Sequence, residues 1–438
     1  MAQSSNPQSS KHELRTLWLA SLGGALEFYD FVVFVFFTSV LGKVFFPEAV
    51  SDWLRQIQTF SVFAIGYIVR PLGGVVMAHF GDRYGRRKVF TISILLMALP
   101  TLFIGFLPTY HQVGVIAPVL LVTLRILQGI AIGGEAPGAW VYVAEHAPDD
   151  RRGFAIGLLT SGLTLGILLG SSVAWGINRF ATPAEITGVY WRLPFLFGGA
   201  LGLLAVRFRR TLHETPVFLA IREEALQSRR TPLGIVLREY PVAILRAIVV
   251  TWALTAVIVV EILMTPTLLQ KAYGIHPLTA QSSNLLATFL LVLSTVMMGS
   301  LADRYGSRKV VLTIGPLLLI ATYALYAVPA RVPGALPWIY ALVGATAGLV
   351  ALVPLLMVEL FPAPVRFTGV SFSYNVSYAF WGGVTPPLVT WLLHHHSLGP
   401  AHYVLLAAVS GAFALFASQR NVSRHAIDAV DSNFVQQS

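Results

Sequence analysis

The stretch Gly81–Lys88 reads GDRYGRRK, and Ala302–Lys309 repeats it as ADRYGSRK. Each copy lies between two long apolar segments. A second pair follows in the same order, since Glu145–Arg152 and Glu359–Arg366 share a Glu, a Pro and an Arg at equal spacing. Two ordered repeats indicate an internal duplication, which is typical of membrane transporters whose halves close alternately around a central site.

Composition places the chain in a lipid bilayer. Hydrophobic residues make up 55% of the chain and charged residues 11%, against about 25% charged in typical soluble domains. Because a spanning helix needs roughly 20 apolar residues, we predict an all-α integral membrane protein with twelve transmembrane helices in two pseudo-symmetric six-helix bundles. The predicted spans are approximately 17–45, 54–80, 88–108, 115–145, 153–178, 191–207, 241–270, 278–302, 309–330, 336–360, 366–392 and 401–418. The predicted domains are a tail at 1–16, an N-terminal bundle at 17–207, a central loop at 208–240, a C-terminal bundle at 241–418 and a tail at 419–438.

The distribution of basic residues predicts the orientation. Most of the 30 Lys and Arg residues lie in the two tails, the central loop and the other loops on that same side, which is the positive-inside pattern. We therefore expect both termini in the cytoplasm and a monomeric protein in the cytoplasmic membrane of a bacterium. Anionic lipid at the inner surface explains the net charge of +10, so no nucleic-acid partner is expected.

The sequence carries no pattern typical of an enzyme or a metalloprotein. It has no cysteine, which excludes disulfides and thiolate metal sites. No Gly-rich phosphate loop, nucleophile elbow or His–Glu metal pattern is present. The run His394–His396 fans around a helix end, as expected for a solvated cap. We expect no enzymatic activity, no cofactor and no metal.

The repeated turns predict a conformational latch at the cytoplasmic helix ends. Gly85 and Gly306 permit a tight reversal with positive φ, and the Asp of each copy is placed to cap a neighbouring helix N-terminus. Arg86 is expected to reach Glu145, and Ser307 replaces that arginine in the second copy, so the second latch should be weaker. The predicted latch residues are Asp82, Arg83, Gly85, Arg86, Glu145, Arg152, Asp303, Arg304, Gly306, Glu359 and Arg366.

The repeated turn resembles the signature loop of the major facilitator superfamily, and its two copies extend the resemblance over the whole chain. Five further segments resemble the metabolite:proton symporter family within it: Gly23–Phe31, Arg70–Gly74, Arg125–Glu135, Trp191–Phe195 and Glu214–Phe218. The resemblance implies import of compounds such as citrate, 2-oxoglutarate, shikimate, proline or betaine together with protons.

Departures from the family pattern bear on the substrate and the direction of transport. Gly24 stands where the family usually has Asn, and the last residues show no heptad pattern for the coiled-coil tail of osmosensory members. Both departures count against proline and betaine. In the fifth span, Gly170-Ser171 replaces the Gly-Pro step of drug antiporters, which favours symport over export.

Ionisable residues within the spans are the candidates for transport chemistry, because each is costly at mid-membrane and is normally turned inward and paired. Arg70 and Arg125 each offer a planar fork suited to a substrate carboxylate. Protonation of an acid beside them would free an arginine for substrate; alternatively, the arginines only neutralise the acids in a buried network. The predicted proton-coupling residues are Asp30, Glu27, Glu135 and Glu261.

The eleventh span supplies a polar counterpart from the second half. Tyr374, Asn375 and Tyr378 recur at helical spacing and are predicted to bind substrate, with hydrogen bonding between helices as the equal alternative. For Glu261, selecting the substrate or pairing with Lys271 are alternatives to proton coupling.

These features together predict a secondary active transporter that imports a small organic acid or related metabolite by proton symport through alternating access. Its expected partners are a carboxylate-bearing small molecule, protons and membrane lipid. An exporter or antiporter of a small metabolite on the same fold is the alternative, and a transport-inactive sensor is less favoured.

Overall fold

A computed structural model describes residues 24–415, apart from 27, 31, 75, 78–85, 134, 210–231 and 330. The described chain is folded into helices, which we number by span. The first half comprises α1 (Gly24–Phe36 and Thr38–Phe45), α2 (Asp52–Ile68), α3 (Arg86–Phe106), α4 (Ile116–Glu145), α5 (Arg152–Phe180) and α6 (Arg192–Arg209). The second half comprises α7 (Pro241–Tyr273), α8 (Pro277–Tyr305), α9 (Ser307–Ala327), α10 (Pro333–Glu359), α11 (Ala363–Ser377, Tyr378–Gly382 and Gly383–His395) and α12 (Gly399–Leu415).

The twelve predicted spans fall on α1–α12, which confirms the predicted fold class. Among the described residues, six helices are long and apolar enough to cross a membrane unaided, or eight if each bent pair is one span. One bent pair is α1, whose two parts meet at 65°, and the other joins Pro183–Tyr190 to α6 at 43°. The two predicted tails and most of the central loop lie outside the described residues.

The two halves meet along α5 and α8 and along α2 and α11. Glycines make the first of these contacts close: Gly153 lies on the backbone of Gly299, and Gly157 lies on the backbone of Thr295. Small residues let membrane helices approach at backbone distance. We call the end of the bundle at Gly153 the inner end, because the charge pattern predicts that it faces the cytoplasm, and the opposite end the outer end.

Buried polar groups gather in three regions of the described interior. One surrounds Asp30 and Arg125 between α1, α3 and α4, and another surrounds Glu261 between α7, α8, α9 and α10. The third lies at the junction of the halves, around Arg70 and Asn375. Since buried polar atoms in lipid must find partners within the protein, these regions are where the chemistry of the fold is sought.

Close packing of α1 on α5 gives a prediction about stability. A Cβ at Gly166 would overlap the backbone of Ala25, whereas a Cβ at Gly176 on the same helix meets nothing within 4 Å. We expect Gly166→Ala to destabilise the protein by about 1–3 kcal/mol, as overpacking does, and Gly176→Ala to leave it unchanged. Thermal unfolding of the purified variants in detergent tests this, and equal melting temperatures for both would contradict the described packing.

Candidate functional site

A chain of hydrogen bonds joins Asp30 on α1 to Arg125 on α4. Gln128 Nε2 donates to Asp30 Oδ2 at 2.6 Å and to Thr101 Oγ1 at 2.9 Å. Arg125 Nη1 donates to Gln128 Oε1 at 3.0 Å. Asp30 is only 3% exposed, and its Oδ1 has no hydrogen-bond partner among the described residues. The carboxyl group and the guanidinium therefore communicate through an amide rather than by a direct ion pair.

Gln128 was missed by the search for ionisable residues, although it follows Arg125 by three positions in the segment that carries the family resemblance. That spacing places both side chains on one face of a helix. A polar residue on the same helix face as a buried arginine could therefore have predicted that Gln128 belongs to the site.

Aromatic faces surround the Arg125 guanidinium. Its central carbon lies 4.1 Å from the ring centre of Phe34 and 5.7 Å from that of Phe63. Such cation–π contacts stabilise a desolvated cation. Arg125 is fully buried, so the site holds a positive charge within the first half.

Arg70 lies where the two halves meet. Its guanidinium is 5.3 Å from the ring centre of Tyr67 on α2, 5.0 Å from that of Tyr378 and 5.9 Å from that of Tyr374 on α11. Trp140 packs edge-on against Tyr374 at 5.0 Å between ring centres. Two of the predicted substrate residues of α11 are thus brought to a predicted substrate arginine. We call Tyr67, Tyr374 and Tyr378 the tyrosine cage.

Asn375 fills a different position on α11. Its Nδ2 donates to the carbonyl of Gly133 on α4 and to that of Ser371, and Ser371 Oγ also lies 3.4 Å from the Gly133 carbonyl. In this conformation Asn375 holds the two halves together, which is the interhelical alternative. Its Oδ1 is buried without a hydrogen-bond partner among the described residues.

The other three predicted acids either lie outside the described residues or lie in the second half, away from Asp30. Glu27 and the side chain of Glu135 lie outside the described residues. Glu261 is fully buried in the second half, and its Oε1 contacts Thr322 Oγ1. The alternative pairing with Lys271 is wrong, because that lysine is exposed ten residues further along α7, about 15 Å away at the helical rise.

Asp303 caps a helix of the opposite half at the inner end. Its Oδ1 accepts from the Gly153 amide at 2.6 Å, and its Oδ2 accepts from the Phe154 amide at 2.7 Å. The negative carboxylate lies at the positive N-terminus of α5. Gly306, which follows α8, has a φ of 83°, the positive φ predicted for it. Arg304 is exposed and lies over Tyr305, so it does not join the contact.

The two copies of the Glu–Pro–Arg element exchange partners across the halves. Arg366 Nη1 lies 3.0 Å from Glu145 Oε1, and Glu359 is near enough to Arg152 for electrostatic attraction. Arg366 is therefore a partner of Glu145, and the expected contact between Arg86 and Glu145 stays a prediction. The remaining latch residues, Asp82, Arg83, Gly85 and the side chain of Arg86, lie outside the described residues, so the relative strength of the two latches stays a prediction.

These contacts predict a shift in conformation when the ion pair is removed. Glu145→Gln should favour opening of the inner end about five-fold, since a partly exposed pair contributes about 1 kcal/mol. A cysteine introduced at Ser371, which is buried on α11 five residues after Arg366, should then react faster with a thiol reagent. The chain has no native cysteine, so labelling is specific. Asp150→Asn changes an exposed acid and is the control; equal rates in both variants would contradict the latch.

Comparison with known proteins agrees with this architecture. The profile of the family described as "Sugar (and other) transporter" matches residues 16–233. A putative proline/betaine transporter of Staphylococcus aureus (strain MSSA476) is 33% identical over 93% of this chain and 88% of its own length. The proline/betaine transporter of Escherichia coli K12 is 30% identical over 91% of this chain and 81% of its own. The chain belongs to the major facilitator superfamily.

A solved structure supports the fold of this transporter independently. The proton:xylose symporter XylE, bound to 6-bromo-6-deoxy-D-glucose, superposes with a TM-score of 0.74 over 92% of this chain and 94% of its own, at 20% sequence identity. The protein is thus a multi-pass membrane transporter and not an enzyme. Another relative, the glycine betaine/proline/ectoine/pipecolic acid transporter OusA of Dickeya dadantii, is 31% identical over 91% of this chain and 81% of its own.

Proposed function

We propose that this transporter imports a small carboxylate-bearing metabolite together with protons, and that its substrate belongs to the zwitterionic class of proline and betaine. The observation that carries the proposal is Arg70 within the tyrosine cage at the junction of the halves. A substrate bound there contacts both halves at once, which alternating access requires.

The two ends of a zwitterion match the two kinds of group at this position. The guanidinium of Arg70 can bind a carboxylate with two parallel hydrogen bonds. In this structure the Arg70 guanidinium contacts the ring faces of the tyrosine cage. If the guanidinium reorients to bind a substrate carboxylate, those ring faces can instead bind the substrate's ammonium group, which aromatic faces attract. Asn375, whose Oδ1 is buried and has no hydrogen-bond partner among the described residues, lies one helical turn before Tyr378 and is the third candidate contact from α11.

The relatives bear on the substrate class. The sequence departures at Gly24 and in the tail counted against proline and betaine, yet relatives that match over nine-tenths of the chain are named as proline/betaine transporters. A Cβ at Gly24 would meet only the end of the Leu163 side chain on α5, which can move, so packing does not require glycine at this position. We therefore extend the predicted organic acid to acids that also carry a cationic nitrogen.

The proton is assigned to Asp30, with Glu27 and Glu135 as further candidates in the same half. A buried carboxyl group without a direct cation can be held neutral, and protonation of Asp30 changes the hydrogen bond it accepts from Gln128. That change reaches Arg125 through the same amide. We propose a monomer in the cytoplasmic membrane of a bacterium, with both termini in the cytoplasm.

Binding of a substrate panel to the purified protein tests this function. Isothermal titration with proline, glycine betaine and ectoine, against citrate, 2-oxoglutarate and shikimate, separates zwitterions from acids that lack a cationic nitrogen. We expect the zwitterions to bind and the others to bind at least ten-fold more weakly. Binding of the anions alone would return the substrate to a simple organic acid, and binding of neutral sugars alone would overturn the role of the carboxylate.

A further inference from the structure

Glu261, on α7 in the second half, is the second buried carboxyl group of the described chain; the first, Asp30, lies on α1 in the other half. Its side chain is 0% exposed, and Oε2 has no hydrogen-bond partner among the described residues. Oε1 contacts Thr322 Oγ1 on α9. It lies within a nine-residue π-helical segment, Ala256–Met264, and π-helical turns are frequent at functional sites.

The hydroxyl groups nearest this carboxyl group also face backbone carbonyls. A threonine hydroxyl has a single hydrogen, and Thr322 Oγ1 lies 2.9 Å from the carbonyl of Leu318, which can only accept. The Tyr340 hydroxyl donates to the backbone carbonyl of Glu261 at 2.5 Å. If Thr322 donates to Leu318, the hydrogen between Thr322 and Glu261 must come from the carboxyl group itself, as in a neutral carboxylic acid.

No ion pair involving Glu261 is found among the described residues. Among the described residues, the titratable groups that face Glu261 are Tyr326 on α9 and Tyr340 on α10. The Tyr326 hydroxyl lies 2.7 Å from Thr265 Oγ1, which in turn donates to the Val260 carbonyl.

The other helices packed on the π-helical segment add no charge near the carboxyl group. α8 contributes the amide of Asn284, and the titratable groups of the outer part of α11 are the histidines at its exposed outer end, His394 and His395. Burying an uncompensated charge is far costlier than burying a neutral acid.

A hydrogen-bond chain links this acid to the other half near the outer end. Asn284 Nδ2 donates to the Ile262 carbonyl at 2.7 Å and to the Tyr340 hydroxyl at 2.8 Å. Ser171 on α5 donates to Asn284 Oδ1 at 3.1 Å. Asn284 on α8 therefore connects the backbone next to Glu261, at Ile262, to Ser171 on α5.

We propose that Glu261 is a separate proton-binding site of the second half, occupied by a proton while the outer end is closed. On opening, its O–H bond breaks, the proton passes to water from the outer side, and the resulting carboxylate is stabilised by that water. The site rests on the proposed proton symport for its use in transport, but its protonation can be tested without any substrate.

Infrared difference spectroscopy on the purified protein tests the protonation. Comparison of the wild type with Glu261→Gln should show loss of one carboxylic-acid C=O band at neutral pH, and Thr322→Val, which removes the acceptor, should shift that band. Glu239→Gln, an exposed acid at the inner end, should leave it in place. An unchanged band in both Glu261→Gln and Thr322→Val would overturn the proposal.

Distance measurement between spin labels tests the link to the outer end. Labels on Arg179→Cys and Thr279→Cys, both exposed at the outer ends of α5 and α8, should move apart as pH rises in the wild type. With Glu261→Gln added, the closed distance should persist at all pH values. An equal pH response in both backgrounds would show that Glu261 does not control closure. Neither measurement uses a substrate, so failure of the substrate panel and failure of this inference are distinguishable.

Discussion

Replacement of Arg70 by Gln is expected to weaken substrate binding by at least about 30-fold. Removing one partner of a buried, hydrogen-bonded charge pair costs roughly 2–5 kcal/mol, and each 1.4 kcal/mol is about ten-fold in affinity. Arg70→Lys should restore little, because a point charge cannot reproduce a bidentate fork. Titration of a bound member of the substrate panel measures the effect.

The control for this variant is Arg179→Gln, which removes an exposed arginine at the outer end of α5. Because Arg70 also contacts the tyrosine cage, the elution profile of the variant must first show that it is folded. Undiminished binding in a folded Arg70→Gln protein would make this cation a structural partner and would move the proposal toward a neutral or cationic substrate.

Asp30→Asn should separate binding from proton coupling. The amide retains the shape of the carboxyl group and a hydrogen bond to Gln128, so substrate should still bind, with an affinity that no longer changes with pH. Accumulation of substrate driven by a pH gradient should fall to the level of passive exchange. Asp150→Asn, a matched change at an exposed site, should transport as the wild type does.

Partial uncoupling by Asp30→Asn has a specific meaning. It would indicate that Glu27 shares the proton with Asp30 as a coupled pair, in which case the double variant should be fully uncoupled. An Asp30→Asn protein with full gradient-driven accumulation would remove Asp30 from the coupling mechanism.

The sequence predicted the architecture because repeats and hydropathy are local properties. The duplicated turns predicted two halves, the apolar runs predicted the helices α1–α12, and the glycine of the second turn predicted the positive φ of Gly306. These features depend on residue type and spacing along one segment.

Partners across helices were beyond the same reasoning. Asp30 and Arg125 were predicted as site residues, but Gln128, which connects them, was not, because the prediction considered only ionisable residues within the spans. Pairing of Glu145 with Arg366 depends on how the halves dock. The Glu261–Lys271 alternative failed because proximity in sequence along a helix is not proximity in space.

Local motifs also proved a weak guide to the substrate. Gly24 departs from the residue that the family usually has at that position. Similarity to proline/betaine transporters extends over 93% of the chain for the Staphylococcus aureus relative. A binding pocket is assembled from several helices, so overall similarity carries more information about it than one motif position does.

Uptake into proteoliposomes under an imposed pH gradient tests proton-coupled import most directly. With the lumen alkaline, a substrate that binds the purified protein should accumulate above its external concentration, and a protonophore should abolish that accumulation. Accumulation that ignores both the pH gradient and the protonophore, and instead follows Na⁺, would contradict the account.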